Sequence, residues 1–200
     1  MRDPSGRMTS PMHPARAPMR TCPRALRAGA CSLYRGAMST FTVRDADYEA
    51  RVRASFERQR VMALIGARLG RVEPGRVEIE LPWREDLVQQ HGYIHAGIVG
   101  TIADSAGGYA AYTLMPAGSS VLSVEFKIHL LAPADGELVI ASGRVVRAGR
   151  TLTVCELEAV VRKDGATTRC TWGSQTLICM ADRPDGPRPH ERTHTPHESG

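Results

Sequence analysis

The stretch from His95 to Met115 limits most strongly the folds open to this chain of 200 residues. It contains no proline and, with histidine counted as neutral, a single charged side chain, Asp104. An apolar segment of this length with little polar surface predicts a helix that is buried on most sides. Glycine costs up to about 1 kcal/mol in a helix, so the many small residues here predict close approach by neighbouring backbone. These are Gly97, Gly100, Ala103, Gly107, Gly108, Ala110 and Ala111.

Asp104 is the only charged residue between Asp86 and Glu125 on the same count. Burying a carboxylate costs free energy unless hydrogen bonds or an opposite charge compensate it. A chemical role explains its presence best, and the alternative is a structural acid that caps a neighbouring element.

Alternating apolar and polar residues predict six strands around this helix. The expected strands are 67–73, 76–81, 121–131, 137–147, 151–162 and 166–179, with Asp164-Gly165 as a hairpin turn. In strand 121–131, one face should hold Leu122, Val124, Phe126, Ile128 and Leu130, and the other Ser123, Glu125, Lys127 and His129. An amphipathic helix should begin at Asp45 as N-cap and end near Gly66. This order predicts an α+β fold, an antiparallel sheet of about six strands wrapped around a central buried helix.

The positive charge of the chain lies mostly in its first segment. Residues 1–37 carry seven Arg and one acid, residues 38–180 have no net charge, and residues 181–200 carry three Arg and four acids. We predict disordered segments at 1–40 and 181–200 on either side of one folded domain at 41–180. Because the basic residues are not clustered in the folded part, nucleic acid is not an expected partner. Translation from Met38 and a transit peptide are the two alternatives for the first segment.

No stretch has the roughly 20 uninterrupted apolar residues of a membrane span, so no membrane association is expected. The five cysteines form no C-x-x-C and are expected to be reduced thiols of a cytoplasmic protein. They are Cys22, Cys31, Cys155, Cys170 and Cys179. The tail histidines His190, His194 and His197 are expected to be solvated, and no metal is predicted.

The residues that lead into the buried helix run from Gln89 to Gly97 in the order Gln-Gln-His-Gly-Tyr-Ile-His-Ala-Gly. The amino-terminus of a helix presents free N–H groups and a partial positive charge. Ala96 and Gly97 are small enough for a substrate carbonyl to approach these groups, which would bind a developing oxyanion. Across a twofold dimer, Asp104 of one chain would face the helix start of the other. His91 and His95 have metal-ligand spacing, but no third ligand is evident.

The pattern Gln-x-x-Gly-x-x-His-Ala-Gly, with Asp seven positions after the last glycine and four strands behind it, resembles the hotdog-fold acyl-CoA thioesterases. The PaaI-type group of the phenylacetate pathway is the closest branch, and 4-hydroxybenzoyl-CoA thioesterases are related. The resemblance covers about residues 45–180. It implies a hotdog fold, hydrolysis of an acyl-CoA to acid and CoA without a metal or redox cofactor, and a homodimer or homotetramer.

The resemblance also implies roles for individual residues. Asp104 matches the catalytic carboxylate, which acts as general base or as nucleophile. Ala96, where glycine is commoner, would polarise the thioester carbonyl through its backbone N–H, with Gly97 on the same turn. The remaining matches are His95 before that turn, Gln89 at the carbonyl or the water, Ser123 near the reacting water, and Arg147 and Arg150 at the nucleotide end of coenzyme A.

Two other functions stay open on the sequence alone. A hotdog dehydratase or hydratase would need His95 or His129 to work with an acid. A non-catalytic acyl-CoA-binding protein usually adds a helix-turn-helix, and residues 1–37 do not resemble one. Ala103 to Gly107 resembles the G-x-S-x-G motif, but that motif requires a strand directly before its serine.

Overall fold

The structure, a computed structural model, describes residues 41–186. Several predictions fall outside these residues. They concern the segment 1–40 with Met38, Cys22 and Cys31, and most of the tail with His190, His194 and His197.

The first helical segment consists of two helices, so the prediction of one continuous helix is wrong. Helix α1 spans Tyr48–Arg58 and α2 spans Arg60–Ile65, and Gln59 between them has extended backbone with φ −75° and ψ 91°. Phe56 and Met62 are both buried, although they are six residues apart. A continuous helix would place them on different faces, because residues share a face at spacings of three, four and seven. The break at Gln59 turns both toward the core.

The predicted N-cap at Asp45 is also wrong. Asp47 precedes the first helical residue and makes no capping bond with its side chain. The Asp45 carboxylate instead accepts the backbone N–H of Asp47 at 3.0 Å and lies 2.9 Å from Arg51 Nε. The predicted end is confirmed, since Gly66 follows α2 with φ +74°, a conformation that glycine adopts without strain.

Six antiparallel strands form a single sheet in the order β1-β2-β4-β5-β6-β3. The strands are β1 (Arg68–Glu73), β2 (Arg76–Pro82), β3 (Ser120–Leu130), β4 (Leu138–Ala148), β5 (Leu152–Lys163) and β6 (Ala166–Met180). Helix α3 spans Ala96–Tyr112, and 12 of its 17 residues are buried against the sheet and the first helices. The predicted α+β arrangement, with an antiparallel sheet around a central buried helix, is confirmed. No helix within residues 41–186 combines the length and hydrophobicity needed to cross a membrane.

Strand β3 contains a bulge that the sequence pattern did not indicate. Its register with β6 shifts directly after Ser123. Before the shift, Ser123 donates a hydrogen bond to Asp104 of α3, and after it Phe126 and Ile128 lie beside Gly100 of the same helix. The prediction that Ser123 faces away from Phe126 and Ile128 is therefore wrong. A bulge inserts one extra residue into the strand, which changes the phase of the alternation beyond it.

Close approach of backbone to the glycine-rich helix is confirmed at Gly143 of β4. A Cβ atom added to Gly143 would lie 2.4 Å from the carbonyl carbon and oxygen of Ala106 and from the nitrogen of Gly107. The strand backbone thus rests directly on the helix backbone, and a larger residue at position 143 would push the two elements apart.

Arg51 ties α1 to the carboxyl end of α3. Its guanidinium donates to the carbonyl oxygens of Tyr112 at 3.1 Å, Met115 at 2.8 Å and Pro116 at 2.8 Å. It also lies 4.2 Å from the centroid of the Tyr112 ring. The last carbonyls of a helix have no partners within it and carry partial negative charge. The oxygens of Tyr112 and Pro116 also accept from the Met115 N–H and the Ser119 hydroxyl, so among residues 41–186 Arg51 is the one donor to Met115 and a second donor to the other two.

The three cysteines in the described part of the chain are free thiols, and Cys155 and Cys170 are buried. Burial raises the pKa of the Cys155 thiol to about 12 and also raises the pKa of Cys170. Both therefore remain neutral core residues at ordinary pH.

Candidate active site

Asp104 lies in the middle of α3, half-buried, and one of its carboxylate oxygens accepts two hydrogen bonds. Ser123 Oγ donates to Asp104 Oδ1 at 2.7 Å, and Gln175 Nε2 donates to the same oxygen at 2.6 Å. Among residues 41–186, Asp104 Oδ2 has no hydrogen-bond partner. The two donors fix the plane of the carboxylate and leave its second oxygen available to a reacting molecule.

Gln175 is absent from the site residues that the sequence predicted. It lies on β6 between Gly173 and Leu177, all three at buried positions, and it is 1% exposed. A long amide at a core-facing position of a strand requires hydrogen-bond partners. The signal available in the sequence was a polar residue at an inward-facing position of the strand, where the neighbouring inward-facing residues, Gly173 and Leu177, are small or apolar.

The start of α3 presents one free backbone donor and one engaged donor. His95 is the N-cap, and its Nδ1 accepts the backbone N–H of Gly97 at 2.9 Å. The N–H of Ala96 has no hydrogen-bond partner within residues 41–186. Of the two predicted oxyanion donors, Ala96 is therefore the one whose N–H is free. His91 and His95 belong to no group of three metal-binding side chains in this part of the chain.

Gln89 lies in a tight turn next to this helix start. Its carbonyl accepts the N–H of Gly92 at 2.9 Å, and its side-chain oxygen accepts the N–H of His91 at 2.5 Å. Gln89 and Ala96 both line a cavity of about 390 Å³. The other lining residues are mostly apolar: Tyr93, Ile94, Val99, Leu130, Leu131, Ala132, Pro133, Ala134, Cys170 and Thr171.

Within one chain the carboxylate and the helix start are separate. Asp104 comes eight residues after Ala96, which corresponds to about 12 Å along the axis at 1.5 Å per residue. Asp104 does not line the cavity that contains Ala96 and Gln89. The structure thus groups Asp104 with Ser123 in one place, and Gln89, His95, Ala96 and Gly97 in another.

The two predicted coenzyme A ligands belong to neither group. Arg147 and Arg150 are exposed near the turn between β4 and β5. Arg150 lines a second cavity of about 240 Å³, together with Arg44 and with residues near the carboxyl end of α3 such as Met115.

The sequence profile of the Thioesterase superfamily matches residues 91–168, which include the helix start, Asp104 and Ser123. The 1,4-dihydroxy-2-naphthoyl-CoA hydrolase of Listeria monocytogenes is 27% identical over 109 residues, which are 54% of this chain and 89% of the hydrolase.

Two solved structures are similar as well. A thioesterase family protein from Silicibacter pomeroyi is 47% identical, and the match covers 67% of this chain and 98% of that one, with a TM-score of 0.66. The PaaI protein of E. coli, from the phenylacetic acid degradation operon, shares the fold at 16% identity and a TM-score of 0.61, with coverage of 68% and 94%. The chain therefore belongs to the thioesterase superfamily, and it is a thioester hydrolase with the hotdog fold.

Proposed function

We propose that this enzyme hydrolyses acyl-CoA thioesters to the free acid and CoA, at sites that each combine residues of two copies of the chain. The observation that carries the proposal is a pair of groups that are free to bond a substrate. One is Oδ2 of the Asp104 carboxylate, whose Oδ1 is fixed by two hydrogen bonds. The other is the N–H of Ala96 at the start of α3, beside an apolar cavity. The coenzyme A part of the substrate is supported by the activity named for the Listeria relative.

The reaction follows from these two groups. Oδ2 of Asp104 takes a proton from water as the water oxygen bonds to the thioester carbonyl carbon. The carbonyl oxygen becomes an oxyanion, which accepts a hydrogen bond from the N–H of Ala96. Cleavage of the carbon–sulfur bond then expels the CoA thiolate, which receives the proton held by Asp104. If Oδ2 instead acts as nucleophile, it attacks the carbonyl carbon, the carbon–sulfur bond breaks and CoA leaves as the thiolate. Water then hydrolyses the mixed anhydride to the free acid and the Asp104 carboxylate, and the proton released by the water goes to the thiolate.

The other predicted residues take supporting roles in this proposal. His95 caps the first turn of α3 and keeps the N–H of Gly97 bonded, so that Ala96 is the donor to the oxyanion. Gln89 lies on the same cavity and orients the acyl carbonyl. Arg147 and Arg150 are exposed cations that suit the phosphates of coenzyme A.

A second copy is proposed because β3 is an open edge of the sheet. In the described residues β3 pairs only with β6, and it exposes large apolar side chains. Those with more than two-fifths exposure are Leu122, Val124, Phe126 and Leu130. Exposed apolar edge strands are sites of pairing with another chain. We therefore propose antiparallel pairing of β3 with the β3 of a partner, in a homodimer or in a homotetramer built from such dimers.

This pairing joins the two separate groups of residues. Ser123, which contacts Asp104, lies near one end of β3, whereas Leu130, which lines the cavity with Ala96, lies at the other end. Antiparallel pairing around the middle of β3 places the Ser123 end of one strand beside the Leu130 end of its partner. Asp104 of one copy then lies near the Ala96 of the other.

The charges of β3 favour a register centred on Phe126, because Glu125 then lies opposite the partner's Lys127. Glu125→Lys is expected to raise the dimer dissociation constant by roughly tenfold or more, since two attractive cross-strand pairs become repulsive. Lys127→Glu should have a similar effect, and the double variant should restore the dimer. Sedimentation equilibrium gives the dimer dissociation constants of the wild type, the two single variants and the double variant. A double variant as weak as the single ones would exclude this register.

The donor role of Ala96 is tested by Ala96→Pro. Proline has no N–H and is well accepted at the first position of a helix, and His95 before it already has the extended ψ of 135° that proline requires. The expected result is a 10²- to 10³-fold loss of kcat with the fold retained. A panel of aliphatic and aromatic acyl-CoAs, with a thiol reagent to detect CoA, measures it. Ala96→Gly, which keeps the N–H, should retain a far larger share of turnover.

Mixing variants tests whether the site is shared. Chains with Ala96→Pro and chains with Asp104→Asn are each expected to be nearly inactive as homodimers. A mixed dimer contains one site with both groups intact, so unfolding and refolding an equal mixture should recover up to about a quarter of wild-type activity. No recovery, with mixed dimers present, would place both groups within one chain.

Of the alternative functions, a hydratase that uses His129 is disfavoured by geometry. His129 stacks on Trp172 with ring centroids 5.8 Å apart. Ile128 faces α3, so its neighbour His129 points to the opposite face of the sheet, away from Asp104.

We also propose a cytoplasmic location, where the free thiols of Cys155, Cys170 and Cys179 would stay reduced.

A further inference from the structure

We propose that Gln175 is a positioning residue for this hydrolysis: from inside the sheet it holds Asp104 and Ser123 in their reacting orientation. The inference rests on the proposed function for its catalytic consequence, whereas the contact itself is independent of the substrate. It adds a third member to a pair that the sequence had already indicated.

The hydrogen bonds of Gln175 converge on both residues. Its Nε2 lies 2.6 Å from Asp104 Oδ1, 2.9 Å from Ser123 Oγ and 3.1 Å from the backbone oxygen of Asp104. The Ser123 hydroxyl hydrogen is donated to Asp104 Oδ1, so the Ser123 oxygen is free to accept from Gln175. The three side chains thus form a closed ring, in which rotation of the carboxylate would break two bonds at once.

The amide has only one workable orientation. A rotation of 180° about its last torsion would set Oε1 against Oδ1 and the backbone oxygen of Asp104, two acceptors that repel it. In the present orientation Oε1 is buried and has no partner among residues 41–186. An unsatisfied buried oxygen destabilises the fold, so an apolar side chain would be favoured here unless the nitrogen served a purpose. The contacts with Asp104 and Ser123 are that purpose.

Helix α3 makes room for this amide at Gly107. A Cβ atom at position 107 would lie 1.9 Å from Gln175 Oε1 and 2.6 Å from Leu157 Cδ2. Gly107 stands three residues after Asp104, on the same side of the helix. The neighbouring Gly108 differs, because its Cβ would meet only Leu177 Cδ2 at an ordinary 3.8 Å.

Gln175 is 1% exposed, so its side chain does not touch the substrate. Its effect must pass through Asp104 and Ser123. A misplacement of a reacting group by about 1 Å lowers rates by up to about 10²-fold, and the supporting hydrogen bonds prevent such displacement.

The first test is Gln175→Met, which keeps the length of the side chain and removes both donors. We expect kcat for acyl-CoA hydrolysis to fall by about 10- to 100-fold while KM changes less than about twofold, since only the reacting orientation is lost. In the Asp104→Asn background the same substitution should change kcat by less than about twofold, because the group it positions is already disabled. A general defect of the fold would lower kcat in both backgrounds, and that result would overturn the proposal.

The second test displaces Gln175 without changing it. Gly107→Ala is expected to lower kcat by about tenfold, because the new methyl group occupies the space of Oε1. Gly108→Ala is the matched control, with the same gain in helix propensity and no clash, and its kcat should equal that of the wild type. Equal kcat for both variants would contradict the proposal.

A measurement without substrate separates this proposal from the proposed function. Chemical unfolding of the wild type, Gln175→Met, Asp104→Ala and the double variant forms a double-mutant cycle. The two side chains interact if the double variant loses an amount of unfolding free energy that differs from the sum of the losses in the two single variants. This result does not require that any variant hydrolyse an acyl-CoA. Additive destabilisations would remove the contact and the proposal with it, whatever the activity of the wild type.

Discussion

Asp104→Asn is expected to lower kcat by about 10²- to 10⁴-fold with the fold intact, as removal of a positioned base does. The amide oxygen of Asn can take the place of Oδ1 and accept from both Ser123 and Gln175, which donate there now. The amide nitrogen then replaces Oδ2, and it can neither take a proton from water nor attack a carbonyl. Only the reacting oxygen is changed, so the effect should appear in turnover and not in the unfolding midpoint.

The measurement is steady-state release of CoA, together with thermal unfolding of the same preparation. Asp135→Asn is the matched control, since its carboxylate is half-exposed and pairs with Lys163 on the surface. It should behave as the wild type in both measurements. Wild-type turnover in Asp104→Asn would remove Asp104 from the mechanism.

Arg51→Met is expected to reduce the free energy of unfolding by about 3–5 kcal/mol, the usual cost of removing one partner of a buried ion pair. The Arg51 and Asp45 side chains are only 16% and 12% exposed. Methionine keeps the apolar stem but leaves the Asp45 carboxylate without its cation and the Met115 carbonyl without its donor. For a domain of this size the unfolding midpoint should fall by about 10 °C.

Arg53→Met is the control on the same helix. Arg53 pairs with Glu49 four residues earlier, and both side chains are about half-exposed, so its loss should change stability by less than about 1 kcal/mol. Differential scanning calorimetry of the two variants provides the comparison. Equal destabilisation would mean that Arg51 contributes no more than a surface ion pair.

Elements whose side chains follow a regular period were predictable from the sequence. The helix around Asp104 and the six strands were recognised because apolar spacing and turn residues are local signals. Ala96 and Asp104 were recognised by their fixed separation within a motif. These features require no knowledge of which distant residue lies across the sheet.

The features that escaped prediction depend on such distant partners. The break at Gln59 follows from how Met62 meets the core, and the bulge after Ser123 is defined only by its pairing with β6. Gln175 is 71 residues from Asp104 along the chain, so nothing local connects the two. Only the folded sheet places the side chain of Gln175 against α3, next to Asp104.

Helix α3 carries the groups proposed to react, and the segment after β3 forms part of the cavity wall, so the two can vary separately. The groups proposed to react sit on a helix locked against a strand at Gly143, whereas Leu131, Ala132, Pro133 and Ala134 form part of the wall of the cavity. Side-chain substitutions in that connection change the shape of the cavity, whereas its backbone supports the start of α3, since the Ala134 carbonyl accepts the N–H of Ile94 at 3.2 Å. We therefore expect substitutions of these four side chains to change the substrate preference of the enzyme.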